Sequence, residues 1–257
     1  MALVQTEPKK VYLWGTEVSK IFLWDKQVRP KVYPYLCFTA NAAGSTVKLN
    51  KSWSPTAVTL ETSTDGNTWS TYTIWNTITL SSVWDKVYFR NTSETTTRFS
   101  TSGSSIYYFW MTWSIDASWD LTYLINKNCT DTIVWTYTFC YLFSSCNKLR
   151  RPPSLPATNL TNYCYYKMFN WCSGMIYLPK LPATTLKPYC YQEMFDTCSS
   201  IALSTTQSWT YQNQYRIPIT WTWTDWWNSL YYMFNNTWWL VTNPSINTTY
   251  YTSNTVV

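Results

Sequence analysis

Tyr163-Cys164-Tyr165-Tyr166-Lys167-Met168-Phe169-Asn170-Trp171-Cys172 returns 26 residues later as Tyr189-Cys190-Tyr191-Gln192-Glu193-Met194-Phe195-Asp196-Thr197-Cys198, with six of ten positions identical. Working outward, Phe143 and Cys146 precede Phe169 and Cys172 by the same 26 residues, and Leu155-Pro156-Ala157-Thr158 precedes Leu181-Pro182-Ala183-Thr184 by that interval. A weaker copy follows at Met233-Phe234, with Thr237 in place of the cysteine. Self-similarity at a fixed period of this size marks a stacked-repeat architecture, because one unit cannot bury its apolar face alone. Phe143, Phe169 and Phe195 are expected to form one core column, and Cys146, Cys172 and Cys198 a second.

Within a unit, Leu160, Cys164, Met168 and Cys172 are spaced by four residues, as are Leu186, Cys190, Met194 and Cys198. That spacing predicts a helix with one buried face. Thr158 or Asn159 would cap its start, and Pro188 would fall in a first helical turn. An extended segment, Met175–Leu178 in the complete copy, follows each helix. If the extended segments align by period, Arg151 meets Tyr177 and Ser154 meets Lys180. These four are the candidate ligand-binding residues; the alternative is an ordinary solvated face.

Ahead of the repeats the pattern changes. Residues 31–125 alternate in β fashion, with Val58 and Leu60 on one face, a hairpin signal at Asp65-Gly66, and strands around Ile78–Leu80 and Val87–Phe89. Short strands at regular spacing predict a β-sandwich-like domain. Residues 1–30 hold two copies of a ten-residue unit, Val11–Lys20 and Ile21–Pro30, each with an apolar triplet and a returning Val. They read as a tandem hairpin module for attachment or self-assembly. The fold class is therefore mixed: a β-rich N-terminal region (1–30, then 31–125) followed by a short α/β leucine-rich-repeat array with a degenerate C-terminal copy (126–257).

Composition narrows function. The chain has no His and 13 acidic residues in 257, with a net charge of +6 and basic doublets only at Lys9-Lys10 and Arg150-Arg151. General acid–base catalysis most often uses His, so no catalytic residue is assigned. Nucleic-acid binding, which calls for a basic stripe, is not expected. No cysteine pair has zinc-ligand spacing, and five of the eight cysteines recur at repeat positions, so buried reduced thiols are expected, with no metal or cofactor. No secretory signal and no apolar run of membrane-spanning length is visible.

Five glycines, about 2%, against an ordinary ~7%, accompany eighteen tryptophans. The tryptophans sit where turns belong: Trp24-Asp25, Trp75-Asn76, Trp84-Asp85, Trp119-Asp120 and Trp226-Trp227-Asn228. Turns need residues that accept positive φ, which Gly does freely. The pattern suggests a gene whose UGA codons specify glycine, written here as tryptophan. Trp69, preceded by its own Asp-Gly turn, reads as genuine, while Trp53 and Trp110 are open. The competing reading is a Trp-rich sugar-binding surface.

The repeat residues resemble the BspA-like leucine-rich-repeat family, whose units read roughly YCYxxMFxxCxxLxxxPxLPATxL, and the stretch 58–125 resembles the β-region that often precedes such repeats. The family's versions carry Gly at the positions of Trp84, Trp113 and Trp119. The resemblance covers about two-thirds of the chain and implies a surface or adhesion protein; similar modules occur on phage tail appendages. The expected function is non-enzymatic binding of a cell-surface glycan or protein, by a virion tail appendage or, alternatively, by a bacterial cell-surface adhesin. A carbohydrate-binding module of a secreted enzyme is the third reading. The expected location is extracellular or virion-associated.

Overall fold

The computed structural model describes residues 34–130, 132–133, 135–217, 229–237 and 243–257, with the backbone of four short strands nearer the N-terminus. Of these four, β1 (Val11–Leu13) pairs antiparallel with β2 (Thr16–Val18), placing Val11 opposite Val18. β3 (Phe22–Leu23) pairs in the same way with β4 (Lys26–Gln27). Each ten-residue copy thus supplies one antiparallel pair. These residues belong to a small unit, Met1–Tyr33, and Pro34–Val257 forms a second unit with a single continuous core.

The second unit begins as β-structure: β5 (Leu36–Ala40), β6 (Ser45–Ser52), β7 (Leu60–Ser63), β8 (Ser70–Tyr72), β9 (Thr77–Leu80), β10 (Lys86–Asn91), β11 (Ile106–Thr112), β12 (Ile115–Ser118) and β13 (Leu149–Arg151). One sheet runs β13-β12-β5-β10-β7-β8 and the other β11-β6-β9. Inner residues alternate with outer ones along β11 and β12, as period-two patterning requires, so that Tyr107, Phe109 and Met111 of β11 are buried, whereas β5 and β10 each bury three residues in a row. The sheets meet through Phe38 and Phe89 of the larger and Phe109 of the smaller, with ring centroids 4.8 and 5.4 Å apart. The change from strands to repeats near residue 126 takes place inside this one core.

The repeats do not form the expected helices. Among the described residues the helical element is a 3₁₀ turn, Leu121–Leu124, whose start is capped by the Asp120 carboxylate accepting the Thr122 N–H at 2.7 Å. From residue 137 the chain forms turn-rich coils in which consecutive N–H groups take opposite jobs. Tyr163, Tyr165, Lys167, Phe169 and Trp171 donate to Pro188, Cys190, Gln192, Met194 and Asp196 in the next coil, at 2.8–3.0 Å. Between them, Cys164, Tyr166, Met168, Asn170 and Cys172 donate three residues back within their own coil, at 3.0–3.4 Å. Every N–H from 163 to 172 is therefore placed, which buried backbone demands. The coil at 137–146 bonds to 162–170 by the same rule, and that at 189–198 to 229–235.

This geometry explains the misread helix. Tyr163, Lys167 and Trp171 have φ of 58°, 51° and 64°, one left-handed residue in every four, and Tyr189, Glu193 and Thr197 repeat it. The side chains then run two in, two out. Cys164-Tyr165 and Met168-Phe169 are buried, while Tyr166-Lys167 and Trp171 lie outward. An α-helix advances about 40° for every four residues, so a strict spacing of four drifts off its face. In these coils the same spacing stays in register, and Leu160, Cys164, Met168 and Cys172 are all buried.

The columns along the stack are regular. Phe143, Phe169, Phe195 and Phe234 stack at centroid distances of 5.4, 5.6 and 5.2 Å with interplanar angles of 9°, 1° and 11°. Phe109 of β11 begins that column, 5.2 Å from Phe143, so the sandwich edge serves as its first rung. The cysteines bind the coils as well as filling them: Cys146, Cys172 and Cys198 donate through Sγ to the carbonyls of Phe109, Phe143 and Phe169 at 3.2, 2.9 and 3.0 Å. At Gly174 the backbone comes close to the preceding coil, since a Cβ there would lie 2.4 Å from the Asn147 carbonyl oxygen. β14 (Leu203–Ser204), β15 (Asn213–Arg216) and β16 (Thr249–Thr252) form a small sheet, ordered β14-β16-β15, whose Tyr215 meets Phe234 edge-on at 6.1 Å.

Candidate binding face of the stacked coils

The two-in, two-out rule sends a defined set of side chains outward at each level. Tyr137, Tyr163 and Tyr189 occupy the same left-handed position in successive coils, and their rings stack at 4.5 and 4.4 Å with interplanar angles of 8° and 5°. Burial and the neighbouring phenols push the Tyr163 hydroxyl up to about 12. Beside this ladder, Tyr141 and Tyr166 meet edge-on at 5.4 Å, and the Lys167 ammonium lies 5.9 and 5.4 Å from their ring centres. Burial alone would lower the Lys167 pKa, but Glu193, 3.0 Å away, and the two tyrosines carry it above its usual value. The last coil adds Tyr231 and Tyr232, 3.9 Å apart and both exposed.

This aromatic strip was not among the residues expected from sequence. The signal was present, as Tyr137, Tyr163 and Tyr189 share the 26-residue period, but only the left-handed backbone makes them neighbours on the outside. Tyr163 is stacked on both faces, by Tyr137 and Tyr189, and all three rings are half-buried. A platform for a sugar ring needs a free aromatic face, so this ladder suits hydrogen bonding and edge contacts, as tyrosines do in protein-recognition surfaces.

Of the residues expected on the extended row, Arg151 and Tyr177 come together, the guanidinium 4.6 Å from the ring centre. Arg150 beside them is held by Asp116 through two hydrogen bonds of 3.0 and 2.8 Å. Ser154 and Lys180 are both exposed but are engaged separately. Ser154 is tied by its backbone to Trp119 and Leu121, and the Lys180 N–H donates to Val257 at 2.7 Å. The expected core residues Phe143, Phe169, Phe195, Cys146, Cys172, Cys198, Leu160 and Leu186 are all buried.

Compared with protein-family models, with curated proteins and with solved structures, the chain matches none. None of the eight cysteines is in a disulfide, and seven are buried. Burial pushes the Cys140 thiol up to about 12 and raises Cys146, Cys164, Cys172 and Cys198 further, which makes them inert nucleophiles at neutral pH. Among the described residues no three His, Cys, Asp or Glu side chains are grouped to hold a metal ion, and no helix is long and apolar enough to cross a membrane.

Proposed function

We propose that this chain is a non-enzymatic receptor-binding protein, carried on a phage tail appendage, that holds a cell-surface protein or glycan on the outer tyrosine face of its coils. The observation that supports this reading is the tyrosine strip itself. Its ladder rings Tyr137, Tyr163 and Tyr189 are each held against a ring of the neighbouring coil, and Tyr141 meets Tyr166 across coils in the same way. Rigid tyrosines supply contact area with little conformational entropy to lose on binding. The BspA-like leucine-rich-repeat resemblance agrees with an adhesive role, and the two N-terminal strand pairs would provide attachment to the particle or self-assembly. A cell-surface adhesin of the bacterium itself is the second reading, and the same resemblance favours it.

The test is flow cytometry of the labelled full chain on a panel of bacterial cells, beside a Tyr141→Ala/Tyr166→Ala double variant shown to be folded by its melting curve. At least tenfold weaker binding by the variant is expected, and undiminished binding would remove the tyrosine face from the account. Tail-structure genes flanking the coding sequence would favour the virion; an export signal encoded upstream would favour the adhesin.

A further inference from the structure

Outside the coils, the described residues with positive φ fall on a narrow set of types. Two are glycines, Gly44 and Gly66, at 76° and 71°. Of the seven others, five are tryptophans: Trp53 (55°), Trp75 (78°), Trp84 (74°), Trp113 (58°) and Trp119 (65°). The remaining two are Cys129 and Asn247. Tryptophan is among the residues least suited to this region, where Cβ crowds the following carbonyl.

The local bonding shows what the positions require. The Asn76 N–H donates to the Thr73 carbonyl at 3.0 Å, which makes Trp75 the third residue of a four-residue turn. Asp85 closes the same turn onto Ser82 at 3.2 Å, with Trp84 third. With φ near +75° at that place, both match the type II turn, which calls for glycine there. Trp53 follows the end of β6, Trp113 lies in the two-residue connection from β11 to β12, and Trp119 precedes the 3₁₀ turn. All five indoles are exposed, from 37% at Trp119 to 81% at Trp53. No ring contact joins any two of them among the described residues, so they do not assemble a sugar platform.

Two controls separate these from other tryptophans. Trp69 alone of the described tryptophans is not exposed. Its ring packs edge-on to Tyr35 at 4.9 Å, and the Arg90 guanidinium lies 3.9 Å from its centre. Trp171 also has positive φ, but it occupies the left-handed slot that Ser145 and Thr197 fill in neighbouring coils, so its angle belongs to the repeat. Trp24 and Trp226, where turns are also expected, lie outside the described residues.

We infer that the natural gene product carries glycine at positions 53, 75, 84, 113 and 119, in a lineage whose UGA codons specify glycine, and carries tryptophan at position 69. The codons in the gene are the first test: UGA is expected at the five positions and UGG at position 69, and UGG throughout would overturn the inference. The second is thermal melting of the chain as written against one with Trp→Gly at all five. Relief of five strained sites is expected to raise the midpoint by at least about 5 °C, whereas Trp69→Gly is expected to lower it. A five-glycine chain that melts lower than the chain as written would refute the assignment.

Discussion

The sandwich and the stack pack the same aromatic residue in opposite ways. Between the sheets, Phe38 meets Phe89 at 85° and Phe89 meets Phe109 at 82°, the herringbone that unlike neighbours adopt. Along the coils, Phe169 and Phe195 lie within 1° of parallel. Repetition removes choice. When identical residues sit at identical positions one period apart, each ring inherits the orientation of the last. The two regions also differ in their polar bookkeeping. In the sandwich, the buried Tyr72 hydroxyl donates to Asn76 at 2.6 Å and accepts from the Leu49 N–H at 2.9 Å. In the coils, Tyr165 and Tyr191 bury their hydroxyls without a hydrogen-bond partner, so the contrast is one of tyrosines, since Asn41, Asn50 and Arg98 of the β-region also bury an unpartnered side-chain atom.

If the two regions share one core, damage to the stack must be felt in the sandwich. Phe169→Ala is expected to cost about 3–5 kcal/mol, the usual range for a buried large-to-small change, and to lower a single melting transition. Two separate transitions, with the sandwich unmoved, would break the picture of one core. Gly174→Ala forces a methyl against the Asn147 carbonyl and is expected to cost about 1–3 kcal/mol, measured by denaturant midpoint. No change would mean that the coils are less closely spaced than described.

Buried tyrosines of the two regions are expected to respond to loss of the hydroxyl with opposite signs. Removing an unpartnered buried hydroxyl by Tyr165→Phe is expected to stabilise the protein by about 1 kcal/mol, while Tyr72→Phe, which strands two partners, is expected to destabilise it by about 1–2 kcal/mol. Chemical denaturation of the pair decides; equal effects in the two regions would erase the distinction. The smallest effect is electrostatic. The Asp65 carboxyl is held well below its ordinary value by backbone N–H bonds from Thr68 and Asn67 and by the Ser63 hydroxyl. A carboxyl lowered on folding contributes stability above its unfolded pKa and loses it as the pH falls toward the folded value. Acid titration of stability should therefore be flatter for Asp65→Asn across the range below about pH 4. A variant with an unchanged acid profile would place the sensitivity elsewhere.

The period was legible because it is arithmetic on residue types: the Phe and Cys columns, and the meeting of Arg151 with Tyr177, follow from counting 26. The β-alternation before residue 126 was legible for the same reason. The coil backbone was not. Its left-handed slots hold Tyr, Lys, Glu, Ser, Thr and Trp, with Asn at one place only, so residue type gives little sign of positive φ, and a spacing of four is shared with the helix. The tyrosine ladder was hidden behind that error, since placing the Tyr on helices separates rings that the coils bring within 4.5 Å.

The alternating duty of the N–H groups has a consequence for inheritance. Inserting one residue within a coil would exchange the two duties downstream, pointing every outward donor inward. Inserting a whole unit leaves each donor facing the acceptor type it already had. Such a gene is free to lengthen or shorten by entire copies while single-residue slips within a coil are purged, so related chains are expected to differ in coil number far more than in coil length.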